Sequence, residues 1–302
     1  MVNVIKTILL PLLLASILSL SIALGCGGEK DDASGEFSQQ ELEQILADST
    51  LLINQADSYK MNMEMDMFMD MSGSEEGTMD MDATMEGAFD QKNMEMYMTM
   101  EMYMAVDVGG QRESMDDIVM DIYLVDEYIY MKMNIPEMGE EWIKLPATEE
   151  NMTAWDMNMV DQQLVPLESS GEMSFLRYEN IDGSECYVIE FIPDTAAMME
   201  WIGEQGLADL GFDWDDVEEI GKIFDELSYT CWIDKDTKQM KKMNAYILMK
   251  ISGDVYEGLA GESGKITMDM NINMVIQDYN QPVSIVLPDE AEDAMGFDEF
   301  LM

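Results

Sequence analysis

The sequence predicts an α+β fold: a large curved antiparallel β-sheet, a half-barrel of roughly 11–12 strands, with a few helices packed on its concave side. Three observations predict it. Apolar and polar residues alternate with a period of two through most of the chain between 59 and 288, the pattern of strands with one wet and one apolar face. The stretches between these runs are short and turn-rich, whereas a parallel crossover needs a dozen residues or more, so neighbouring strands run antiparallel. Helical spacing is confined to a few separate segments, so the helices stand apart from the sheet. A sheet of this size curls rather than staying flat.

The elements follow in order. After Lys6 comes "ILLPLLLASILSLSIAL" at 8–24, seventeen residues without a charge. Residues 1–25 read as an export signal rather than as part of the fold. Seventeen residues is the lower limit for a membrane span, and Pro11 interrupts the run. "ALGC" at 23–26 resembles the lipobox of prokaryotic lipoproteins, which implies that Cys26 is lipidated and becomes the first residue of the mature chain. Two or more acyl chains there give stable membrane attachment. Residues 26–37, rich in Gly, Asp, Glu and Ser, form a flexible tether. Ser38 and Glu41 make a capping-box pattern ahead of Leu42, Ile45, Leu46, Leu52, Ile53 and Ala56, so a helix is expected over 39–56.

Alternating segments then fall at 59–71, 78–88, 93–106, 116–125, 128–135 and 141–145, a meander. Helices are expected at 148–165, 194–205 and 213–227, the last with Val217, Ile220, Ile223, Phe224 and Leu227 as its stripe. Further strands are expected at 174–180, 185–192, 228–234, 239–252, 265–278 and 282–287. With no Pro/Gly-rich linker in the way, 38–302 reads as one domain.

Charge narrows the partners. Fifteen basic residues against 63 acidic give −48 over 302 residues. A phosphate backbone is repelled by such a surface, so nucleic acid is excluded as a partner. Anionic membranes repel it too, unless the chain is covalently anchored. A monomer is expected. The chain has no histidine, which removes Ser-His and Cys-His catalysis; carboxylate spacing on so acidic a surface says nothing about glycosidase chemistry. No enzyme, cofactor or metal is therefore expected. Asp234 and Asp236 are too few for a calcium loop. Besides Cys26 the chain has two cysteines, Cys186 and Cys231. Both lie in strand-like segments of an exported chain, and a cross-strand disulfide is expected.

The methionines carry the functional reading. "MNMEMDMFMDM" at 61–71 has methionine at every odd position, and "MEMYMTMEMYM" at 94–104 at every even one. Residues two apart on a strand share a face. Met63, Met65, Met67 and Met69 therefore project together, as do Met96, Met98, Met100 and Met102. Met79 and Met81 continue the face on the strand between, and Met131 and Met133 further along. Methionine is a poor strand former, but its unbranched side chain moulds to varied apolar partners. These twelve residues are assigned to a cavity lining for an apolar ligand, lipid or lipoprotein acyl chains. Two alternatives stand beside it: a thioether site for Cu(I) or Ag(I), since soft metals choose such sulfur, and an ordinary core in a surface protein that binds no ligand.

The chain resembles the LolA/LolB-like group, including the LppX/LprG-type lipoproteins. The likeness rests on "ALGC", the helix at 39–56, the long meander, "YTCWIDKDTKQMKKM" at 229–243 and the ending "QPVSIVLPDEAEDA" at 281–294. It implies a curved sheet of about eleven strands holding helices against an apolar cavity. It also implies a role in binding or shuttling a lipid or lipoprotein outside the cytoplasm, from a membrane anchor. The resemblance assigns no particular binding residue.

Overall fold

The computed structural model describes residues 37–72, 76–135, 139–148, 171–194, 224–252 and 264–296. Nearly all of the helices expected at 148–165 and 194–205, and most of that at 213–227, lie outside these residues, as do Cys26 and the tether up to 36; Phe37, assigned to the tether, instead packs on Phe175 at 4.9 Å between ring centroids. What is described is one helix, α1 (Gln39–Asn54), and one sheet. The capping box at its start is present in full: the Ser38 amide donates to Glu41 Oε2 at 2.8 Å, and the Glu41 amide donates back to Ser38 Oγ at 3.4 Å. The Ser38 amide and hydroxyl, each donating to Glu41 Oε2 at 2.8 Å, hold the exposed Glu41 carboxyl below its ordinary pKa.

The first half of the sheet is β1 (Ser58–Ser72), β2 (Gly77–Asp90), β3 (Glu95–Val108), β4 (Gln111–Val125), β5 (Tyr128–Ile135) and β6 (Gly139–Pro146). The second half is β7 (Gly171–Ile181), β8 (Ser184–Pro193), β9 (Phe224–Asp234), β10 (Met240–Ser252) and β11 (Lys265–Gln277), with a two-residue β12 (Met295–Gly296). The order across the sheet is β12-β6-β5-β4-β3-β2-β1-β11-β10-β9-β8-β7. The chain thus starts in the middle, winds out to one edge, resumes at the other edge and winds back until β11 pairs with β1. Every pairing is antiparallel except the short β12–β6 bridge. The sheet stays open, with β7 and β12 at its two ends.

Tight turns make the meander. Gly109 and Gly110, at φ +62° and +78°, close β3 to β4 in two residues. For that reason β4 begins at Gln111 rather than at the expected 116. Asp126 and Glu127 (φ +52° and +64°) do the same between β4 and β5. Asp234 Oδ1 accepts from the amides of Asp236 and Thr237, both at 2.9 Å, and shapes the β9–β10 turn.

The helix spans half the sheet. At its start the Gln39 amide brackets the open edge of β7: Nε2 donates to the Gly171 carbonyl at 2.5 Å, and the Met173 amide donates to Oε1 at 3.1 Å. Just past its end, the Asp57 amide donates to Asn280 Oδ1 at 2.6 Å, where β11 leaves β1. Sixteen helical residues reach about 24 Å. From β7 to β1 there are five strand spacings, also about 24 Å. The buried stripe Leu42, Ile45, Leu46, Ser49, Thr50 and Ile53 faces the sheet, in contact with β7, β9 and β10.

Several expectations are corrected. The helix expected up to 227 gives way to β9 at Phe224, and Leu227 sits in register with Ile247 of β10; sheet pairing overrides the helical spacing there. The strand expected at 282–287 is not formed. Pro282 has no amide to donate, Val286 is 71% exposed, and the chain crosses to β6 through a 3₁₀ turn at Asp289–Asp293. Met94, placed in the sequence on the inner face, sits in the β2–β3 turn at φ +56° and is 70% exposed.

The expected disulfide is also corrected. Cys186 and Cys231 are free thiols on neighbouring strands. Cys231 stands opposite Ile189, three residues from Cys186, and an odd offset places the two on opposite faces. Cys231 belongs to the main core, while Cys186 packs with Val188 and Trp232 beneath the other face. A bridge would have to pass through the sheet.

Candidate functional site

Register turns the alternating methionines into rows. Met243, Met274, Met63, Met85, Met100, Met120 and Met133 stand side by side across β10, β11 and β1 to β5. Cys231 of β9 extends this row by one strand. A second row runs Met270, Met67, Met81, Met104 and Met115, and a third Met249, Met268, Met69 and Met79. Strand spacing separates neighbours within a row by about 4.8 Å. The second row depends on an irregularity between Met102 and Met104 on β3, whose extra β4 residue shifts the phase and brings Met115 opposite Met104.

The twelve assigned methionines differ in how far they are buried. Met63, Met65, Met67, Met79, Met81, Met96, Met98, Met100 and Met102 are each no more than 6% exposed. Met69 and Met131 are partly buried and pack against the same core. Met133 keeps its place by backbone register alone, opposite Met120. The residues between them, Glu64, Asp66, Phe68 and Asp70, are exposed. Between these rows Gly87 stands beside Met61 and Met98, and Ala83 beside Met65 and Met102. A Cβ on Gly87 would come 2.9 Å from the Phe89 ring, which itself stacks on Tyr59 at 4.7 Å between centroids.

Sequence reasoning missed the polar part of this face. Tyr229 lies on β9 among Leu227, Cys231 and Ile233. Burial pushes its phenol well above the ordinary range and pushes the neighbouring Cys231 thiol up to about 12. Tyr279 is raised by burial as well, but its hydroxyl donates to the Met240 carbonyl at 2.8 Å. The buried charged residue among those described, Asp234, stands opposite Cys186, away from the methionine rows. The inner face is therefore apolar and, among the described residues, free of buried charge.

The outer face is its opposite. Asp66, Asp80, Asp82 and Asp269 surround a depression of about 430 Å³ with Phe68, Tyr103 and Arg112, whose guanidinium meets Asp80 at 3.1 Å. Among the described residues no group of three or more His, Cys, Asp or Glu is placed to hold a metal ion. Nor is any described helix long and apolar enough to cross a membrane.

A wide open antiparallel sheet, wet on one face and sulfur-rich on the other, with a helix laid across half of it, defines the class of protein. The chain belongs to DUF6612, a family of unknown function, whose pattern matches residues 41–295. No curated protein sequence matches. Among solved structures, LprF from Mycobacterium bovis is similar at 14% identity and a TM-score of 0.42, over 83% of this chain and 98% of that one. The Mycobacterium tuberculosis lipoprotein LppX is similar at 11% identity and a TM-score of 0.35, over 82% and 100%. A DUF1329 family protein from Desulfovibrio piger follows at 10% identity and 0.27, over 82% and 94%.

Proposed function

We propose that this chain is an extracytoplasmic lipoprotein, held to the cell membrane through Cys26, that binds or shuttles a lipid or other apolar ligand on its methionine-lined face. It acts as a monomer and is not an enzyme. The observation that carries the reading is the set of cross-strand methionine rows. A core that only had to be filled would be served better by Val, Ile and Leu, which suit strands and hold fixed rotamers. Methionine has three rotatable bonds and a polarizable sulfur, so rows of it adapt to acyl chains of differing length and kink. The chain's acidity keeps the rest of the molecule soluble and off an anionic bilayer, leaving attachment to the anchor.

The rows also set neighbouring thioethers side by side, the arrangement a soft metal needs. Against that second reading stand the number of sulfurs, far beyond a coordination sphere, and the absence of histidine. Native mass spectrometry of the protein purified from its own host separates the two. Co-purifying lipid without stoichiometric copper or silver is expected; tight Cu(I) binding that is lost when the methionines of 96–104 become leucine reverses the reading. For the anchor, Cys26→Ser is expected to release the protein or leave an unprocessed precursor. Unchanged size and attachment would refute it.

A further inference from the structure

Three buried hydroxyls have no hydrogen-bond partner among the described residues: Tyr229 on β9, and Ser49 and Thr50 on α1. They are 2%, 0% and 5% exposed. Asn54 Oδ1, Gln91 Oε1 and Trp232 Nε1 also lack a partner, but other buried hydroxyls are satisfied. Tyr279 reaches a carbonyl, and Ser58 Oγ donates to the Gln281 carbonyl at 2.6 Å. Serine and threonine within a helix usually return their hydroxyls to a carbonyl one turn back; here neither does.

The three lie on elements that pack together. Ser49 and Thr50 lie in the buried stripe of α1, between Ile45 and Ile53, and that helix packs against β9 and β10. Tyr229 projects from the inner face of β9, beside Phe191 at 6.3 Å between ring centroids. Its partner on β10 is Ala245, a short side chain that begins a row running through Ile272 to Met65. Unmet donors at the margin of an apolar face are an unfavourable arrangement for the protein alone. They suit a site that a ligand completes.

We infer that the Tyr229 hydroxyl, assisted by Ser49 and Thr50, is the polar anchor of the methionine-lined face, and that it takes an uncharged oxygen acceptor such as an ester carbonyl in the ligand's head. The inference rests on the carrier reading and adds to it the end at which the ligand is gripped and the head it accepts. An anionic head would need a cation, and among the described residues no lysine or arginine is buried. Burial holds the phenol protonated, so it remains a donor.

The test uses delipidated full-length protein, its Tyr229→Phe variant and three probes: triolein, which carries ester carbonyls; squalane, a hydrocarbon without oxygen; and dioleoylphosphatidylglycerol, which is anionic. Wild type is expected to load triolein and squalane and to take up little of the anionic lipid. Tyr229→Phe should weaken triolein about five- to tenfold, the worth of one hydrogen bond, leave squalane unchanged, and leave the unliganded protein at least as resistant to urea. Equal triolein affinity in the variant overturns the anchor while the carrier reading stands. So does a loss shared equally by triolein and squalane, or a variant less stable without ligand, since that hydroxyl would then be satisfied within the protein. Phosphatidylglycerol loading equal to triolein overturns the uncharged head. If wild type loads none of the probes, the carrier reading itself fails, and the anchor with it.

Discussion

Met98 shows how the inner face should respond to a change of one side chain. It is 2% exposed, between Gly87 of β2 and Ile122 of β4. Glutamate there would place a carboxylate in an apolar region, at a cost of several kcal/mol unless water or ligand rearranges around it. Leucine should cost less than about 1.5 kcal/mol. Urea unfolding read beside lipid loading separates a cavity wall from a packed core: loading should fall in Met98→Glu while the protein still folds. The outer position next to it is no neutral control. Thr99 donates to Asp121 at 2.7 Å and faces Glu86 across β2, so Thr99→Glu would meet two carboxylates. The cysteines give a second prediction at this scale. Both thiols are free and buried, so peptides carrying Cys186 and Cys231 should be alkylated after unfolding without any reductant. A peptide pair linked through sulfur would refute the assigned faces. Burial raises Cys231 from 9.0 to about 12. The unfolded thiol ionises first, so its contribution to stability is intact below about pH 9 and lost as pH climbs toward about 12.

At the scale of elements, the bracket made by Gln39 is the contact to test. An open edge strand exposes unpaired amides and carbonyls, which proteins usually cover. Here a side-chain amide at the start of α1 takes the place of a neighbouring strand for Gly171 and Met173. Gln39→Ala should speed hydrogen exchange at the Met173 amide and cost about 1–2 kcal/mol, since two bonds are lost at a partly exposed site. Exchange unchanged at Met173 would show that the helix does not protect the edge.

At the scale of the whole molecule, charge dominates. Against a formal net charge of −48, the exposed ion pairs, such as Lys60–Asp278 at 2.7 Å and Lys250–Asp225 at 2.6 Å, are worth little each. Like charges stand directly opposite each other across strands, as at Asp66 and Asp82 or Asp90 and Glu95. Salt shortens the screening length from about 10 Å at 0.1 M to about 3 Å at 1 M. Repulsion outweighs the pairs, so stability should rise with salt by about 1 kcal/mol or more, which in a domain of this size moves Tm by about 2–4 °C per kcal/mol. A Tm that falls with salt would mean that the ion pairs decide.

The sequence by itself determined that the chain is strand-rich, where most strands run, and which of their residues face inward. Period-two alternation is local physics, written in each segment without reference to any other. The capping box of α1 was legible for the same reason, with donor and acceptor three residues apart. Local patterns say nothing about which strand lies beside which or in what register. Only the tertiary structure set β1 against β11, aligned methionines from seven strands into one row, and placed Cys186 and Cys231 on opposite faces. It also drew Phe224–Leu227, read as helical, into a strand, because strand pairing there outweighs helical spacing. The partnerless hydroxyl of Tyr229 was hidden for a similar reason. A tyrosine in a strand is ordinary, and whether its oxygen meets a partner depends on residues far along the chain that folding brings around it.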